Sequence, residues 1–231
     1  MLRMSSRIVA WAIFIAGLAV LVAFYLSTRN RPAAITDLPA EDCELPAALD
    51  AVPVEQTAAG GSPGPWIALC IWGEAKGNVI IDLNEEIAPA HAERIVTLTQ
   101  QGAYDEIVFH RVIGGFMAQT GDVQFGQFGM DLGRAGSGGS ELPDLPAEFS
   151  DIAFDRGVVG MARSQAEDSA NSQFFIMFDS APHLNGSYTV VGEVVQGMDV
   201  VDAIRRGGRN GAVTESPDLI IEAAARGAPE D

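Results

Sequence analysis

Basic residues are scarce in this chain: 14 Lys and Arg stand against 31 Asp and Glu, a formal net charge of -17. Four of the 14 (Arg3, Arg7, Arg29 and Arg31) lie near the N-terminus, so the rest of the chain sets 10 basic residues against all 31 acidic ones. Nucleic acid binding needs a basic footprint that neutralises phosphates, and its absence counts against such a partner. The expected surface is soluble and self-repelling.

Cysteine is nearly absent too. Cys43 and Cys70 are far apart and have no histidine neighbours, which excludes a zinc site built on them. They fit either the single disulfide of an exported protein or two separate thiols. No His-Glu-x-x-His pair occurs, and neither cysteine stands beside a histidine. Ser137 does not sit in a Gly-x-Ser-x-Gly elbow, because Ala135 stands where the first glycine would be needed. The glycine-rich run from Gly126 to Gly139 lacks the Gly-Lys-Ser/Thr ending of a phosphate loop and reads as a flexible surface loop within Val123 to Leu142. No metal and no cofactor is expected, and no repeat points to a solenoid or propeller.

Charge is also missing from Ile8 to Leu26, an apolar run of the length that spans a bilayer. With Arg3 and Arg7 before it, the run resembles a secretory signal, but it is longer than a cleavable apolar core and no clean small-x-small site follows. Residues 1–31 are therefore read as an N-terminal transmembrane anchor. The reading places a single-pass protein in an inner membrane with its domain on the periplasmic side; the alternative is a cleaved, soluble periplasmic form. Residues 32–65 hold six acidic residues, no Lys or Arg, and repeated Pro and Gly, the composition of a spacer.

From Trp66 the pattern changes. Trp66 to Trp72 and Val79 to Leu83 are β-rich runs around Gly73 and Gly77, a hairpin signal. Pro89 opens a helical pattern to Gln101, with Ala92, Ile95, Val96 and Leu98 near one face and Gly102 just past its end. Strands are expected at 107–112, 116–120, 157–162, 173–178, 188–195 and 219–223, with a second helix over 198–206. Many strands and two helices argue for a β barrel capped by helices over 66–231, in a monomer.

What remains for chemistry is Phe109-His110-Arg111-Val112-Ile113-Gly114-Gly115-Phe116-Met117-Ala118-Gln119, which offers cation, amide and apolar groups but no nucleophile. Residue types alone support only a peptide-binding site here.

That run, continued to Gly121-Asp122, is followed by Gly136-Ser137-Gly138-Gly139, Met161-Ala162-Arg163, Asn171-Ser172-Gln173-Phe174-Phe175-Ile176, and Leu184-Asn185-Gly186 to Val191-Gly192-Glu193. In order and spacing these blocks resemble the cyclophilin family of peptidyl-prolyl cis/trans isomerases, most closely its bacterial members, over about Trp66 to Ala225. The resemblance implies a mainly β fold: a closed eight-stranded antiparallel β barrel capped by two helices. Its implied activity is cis/trans isomerisation of X-Pro bonds, and its implied partners are proline-containing segments of folding or exported proteins. A rival reading is a proline-peptide binding module with little turnover.

By the same resemblance Arg111 is the catalytic donor and Gln119 helps hold it and the peptide. Phe116, Met117, Phe175 and Leu184 match the apolar proline pocket, while Ala162, Arg163 and Gln173 match positions that hold substrate backbone. Arg163 stands where many eukaryotic relatives have Asn. Tyr188 replaces a common histidine, and His183 replaces a Trp associated with cyclosporin binding. His110 is given no catalytic role.

Overall fold

The computed structural model describes Leu45 and residues 64–227. The transmembrane reading of 8–26, Cys43 and most of the spacer lie outside the described residues. Among those described, no helix is long and apolar enough to cross a membrane.

Among residues 64–227, nine strands and two α-helices follow in the order β1 (Trp66–Trp72), β2 (Gly77–Leu83), α1 (Pro89–Gln100), β3 (Ile107–Val108), β4 (Arg111–Ile113), β5 (Met117–Thr120), β6 (Val158–Met161), β7 (Phe174–Met177), β8 (Val190–Gln196), α2 (Met198–Ala203) and β9 (Leu219–Arg226). They form one antiparallel sheet in the order β3-β9-β1-β2-β8-β6-β7-β5-β4.

A mainly β fold with two helices is present, but the closed eight-stranded barrel is corrected to a curled, open sheet of nine. The expected strand over 107–112 breaks at Phe109-His110. There the Phe109 amide donates to the Asp218 carbonyl and the His110 carbonyl accepts from the Val213 amide, so the backbone leaves the ladder. The two halves, β3 and β4, then terminate opposite ends of the sheet. Covalent chain, instead of a ladder, spans the seam.

Strand alternation sorts the apolar residues into separate clusters. Ile67, Leu69 and Ile71 of β1 join Ile81, Leu83, Ala92, Ile95, Leu98, Phe109, Val112 and Ile176 in the main core. On the other face of β1, Trp66, Ala68 and Cys70 pack with Ile80 and Leu45. Leu45 is 1% exposed there, although it belongs to the segment read as a spacer. Cys70 is disulfide-bonded, and the only other cysteine in the chain is Cys43.

Three carboxylates replace caps that local sequence does not supply. Helix α1 has no side-chain cap at Ala88; Glu148 instead accepts from the Ala90 and His91 amides at 3.2 and 3.1 Å and from His91 Nδ1 at 2.5 Å. Buried Asp218 accepts from the Ala75 amide in the β1–β2 turn and from the Arg205 amide at 2.8 and 2.7 Å. That second bond follows the end of α2 at Ala203, short of the expected Arg206, where Ile204 is already extended. The third carboxylate is Asp122, which organises the loop beside the site.

Candidate active site

Register brings the chemistry together. Arg111 of β4 is the Cα partner of Gln119 of β5, Gln119 of Phe175 of β7, and Phe175 of Gly160 of β6. Since side chains on one face of a sheet repeat every second residue, this row sets Arg111, Gln119 and Phe175 side by side. Val112, Ala118 and Ile176, one residue along, belong to the main core. Gly160 completes the row without a side chain, because a Cβ there would lie 2.5 Å from Phe175 Cζ and 2.6 Å from Phe154 Cε1.

Below the row lies a second apolar cluster of Met117, Phe154, Val158, Phe175, Met177, Leu184 and Val190, with Phe116 and Tyr188 partly buried against it. Phe175 meets Tyr188 edge-on at 5.9 Å between centroids and stacks on Phe154 at 5.8 Å. Phe116, at the turn between β4 and β5, lies 5.6 Å from the His183 ring. His183 and Leu184 sit in a single 3-10 turn, Pro182–Leu184. Ten of the eleven residues named from the sequence line one cavity of about 370 Å³; the remaining one, Gln173, lines an adjoining cavity of about 410 Å³. Gln119, Ala162 and Arg163 border both.

A polar relay holds the donors. Arg111 Nη1 lies 3.5 Å from Gln119 Oε1 and 3.7 Å from Met117 Sδ. Gln119 Nε2 donates to Gln173 Oε1 at 2.9 Å, and Gln173 Nε2 donates to the Gly138 carbonyl at 2.7 Å. The guanidinium therefore keeps most of its donors for a ligand. Arg163 lies with its guanidinium carbon 4.6 Å from the Tyr188 ring centroid, and its Nη2 donates to the Ser187 carbonyl at 2.9 Å.

Gly138 is placed by a residue to which sequence reasoning assigned no role. Asp122 is fully buried, accepting at Oδ1 from the Gln124 and Phe125 amides and at Oδ2 from the Gly136 and Gly138 amides, between 2.7 and 3.1 Å. The glycine-rich stretch expected to be flexible is thus pinned near both ends. Gly136 has φ +93° and faces His110, whose Nε2 would lie 3.1 Å from a Cβ there. Asn171 acts similarly, accepting at Oδ1 from the Ser140 amide and hydroxyl at 2.7 Å. The signal for both was a short polar residue beside glycines and serines, which compete for backbone donors.

His110 does not line the cavity. Its ring is buried, and burial pushes its pKa down to about 4 against the opposing pull of Asp122. It is neutral at pH 7. Among the described residues no cluster of His, Cys, Asp and Glu is arranged to hold a metal.

Comparison with known proteins shows the family. Residues 71–225 match the family described as cyclophilin type peptidyl-prolyl cis-trans isomerase/CLD. A probable peptidyl-prolyl cis-trans isomerase of Brucella suis is 55% identical over 172 residues, covering 73% of this chain and 86% of that one. A peptidyl-prolyl cis-trans isomerase of Helicobacter pylori is 35% identical over 147 residues, covering 62% and 85%. In fold, the crystal structure of a Cryptosporidium parvum cyclophilin type isomerase matches with a TM-score of 0.60 at 22% identity, over 72% of this chain and 99% of that one. The chain belongs to the cyclophilin type peptidyl-prolyl cis-trans isomerase family, and its activity is the rotation of X-Pro peptide bonds between cis and trans.

Proposed function

We propose that X-Pro segments isomerise in the cavity between Arg111 and Phe175, with the proline ring in the apolar slot of Phe116, Met117, Phe175 and Leu184. The X-Pro amide must cross a barrier of about 18–20 kcal/mol because rotation breaks its resonance. In the twisted state the proline nitrogen regains its lone pair and becomes a hydrogen-bond acceptor. A guanidinium fixed beside it favours that state over the planar ground state, so binding energy goes into rate. No bond is broken and no proton need move.

The Arg111–Gln119–Gln173–Gly138 relay, laid along one edge of an apolar slot, carries this reading. Gln119 restrains the guanidinium and Gln173 restrains Gln119. Gln119, Gln173, Ala162 and Arg163 supply the polar rim for peptide backbone. A structure of the Cryptosporidium protein was obtained in the presence of the dipeptide Ala-Pro, which is in keeping with this reading. The test is the full chain with Arg111→Ala: isomerisation of a short X-Pro peptide should fall while peptide binding persists, and unchanged turnover overturns the assignment.

We also infer an exported, membrane-anchored enzyme that acts on folding proteins at the periplasmic face, functioning as a monomer. The apolar run Ile8 to Leu26 and the disulfide at Cys70 support this, since disulfides persist in oxidising compartments. Cell fractionation with protease accessibility tests it; a domain protected on the cytoplasmic side would overturn it.

A further inference from the structure

The cavity that takes proline is bordered by two guanidinium groups, Arg111 and Arg163, and by no carboxylate. In a chain with 31 acidic residues this is a local reversal of charge. Ion pairs elsewhere among the described residues include Arg156–Asp202 and Arg205–Glu74. Neither groove arginine takes part in one.

Arg163 is nonetheless held firmly. Its Nε and Nη2 both point to the Ser187 carbonyl, at 3.3 and 2.9 Å, its Nη1 donates to the Ser164 carbonyl at 3.0 Å, and its plane covers Tyr188. All of these partners are neutral. They orient the fork and occupy part of its donor set without cancelling its charge. The acidic residue of the adjoining cavity, Asp144, is engaged by Asn171 Nδ2 at 2.9 Å. An oriented, half-buried and unpaired cation beside a peptide groove attracts an anion with little ordering cost and incomplete screening.

We propose that Arg163 is a specificity-determining residue that makes the groove favour X-Pro segments carrying a carboxylate side chain adjacent to proline. This rests on the placement of the substrate beside Arg111 given above. Arg111 acts on the amide common to all substrates. Arg163 reads the neighbouring side chain, and the balance of charge around it sets the preference.

The test uses the full chain and two peptide series, with Glu, Gln or Lys immediately before or immediately after proline. In at least one series kcat/KM should be about fivefold higher for Glu than for Lys at low salt, the ratio that about 1 kcal/mol of charge pairing produces, and the gap should narrow at high salt. Arg163→Gln should bring that ratio within about twofold, while Arg163→Lys, which keeps the charge, should preserve most of it. A residue that merely supported Tyr188 would change all peptides alike and leave the ratio where it was. Equal rates for Glu and Lys in both series, or a ratio unchanged in Arg163→Gln, would overturn the preference and leave the site assignment standing. Full turnover in Arg111→Ala would instead overturn the site assignment and the preference with it.

Discussion

Arg111 and Gln119 are register partners across β4 and β5, and the guanidinium Nη1 of the first lies 3.5 Å from the side-chain oxygen of the second. The distance is long for a hydrogen bond, so Gln119 steers the guanidinium without occupying it. Arg111→Lys should therefore be a poor substitute, because a point charge on a flexible stem loses the fork that reaches both the amide and Gln119. We expect kcat/KM to fall about 100-fold, the usual loss when one preorganised transition-state donor is removed. Gln119→Ala should cost less, about tenfold, with Arg111 still present but untethered. A protease-free isomerisation assay on a single peptide measures both.

His110 gives the domain an acid sensitivity of its own. Its imidazole titrates near 4 when folded and near 6.5 when unfolded, so the unfolded chain binds the proton first as pH falls. The sign is fixed: stability from the neutral buried ring is complete above pH 6.5, falls between 6.5 and 4, and is constant below 4. From pH 7 to 5 the loss should be about 2 kcal/mol. Asp105 and Glu193, whose carboxyls burial pushes upward, act in the opposite direction. Comparing urea unfolding of the native chain with His110→Gln at each pH isolates the histidine. Parallel curves would show that the ring does not set the slope.

Reduction should loosen the first strand. Cys70 lies on β1 beside buried Leu45, and the chain offers only Cys43 as a disulfide partner. Dithiothreitol, or Cys43→Ser, should lower unfolding stability by about 3 kcal/mol through the freed chain entropy. Isomerase activity at 25 °C should survive, since the groove lies on β4 to β7. Thermal melts with and without reductant, followed by the activity assay, check both halves.

Glu148 should matter for stability and not for chemistry. Glu148→Gln removes the negative charge that faces the start of α1 and weakens its bonds to two amides and His91. A loss of about 1 kcal/mol is expected, as for a helix cap, with kcat/KM within about twofold of native. Equilibrium unfolding against the same assay separates the two effects.

Much of this was legible in sequence because it depends on local chemistry. Period-two runs at Trp66 to Trp72 and Val79 to Leu83, and the Pro89 helix start, produced elements where they were expected. Arg111, Phe116, Met117 and Gln119 fall within one short run, and the family resemblance supplied their roles. The strand over 107–112 was misread because it breaks on hydrogen bonds to Asp218 and Val213, residues about 100 positions away. The loop after Asp122 was misread for a related reason. Glycine content reports freedom in the unfolded chain, whereas its order comes from a carboxylate that gathers four amides. Sequence also could not reveal that Glu148 caps a helix nearly sixty residues upstream.

The lateral row of Arg111, Gln119, Phe175 and Gly160 has an evolutionary consequence. Sliding any of its strands by a single residue would turn the reactive groups into the hydrophobic interior, so a shift of strands cannot adjust the reaction. Innovation is channelled into the connecting segments, 121–142, 162–173 and 181–189, which can lengthen, change charge or recruit new clients while the strand-borne reactive groups stay put.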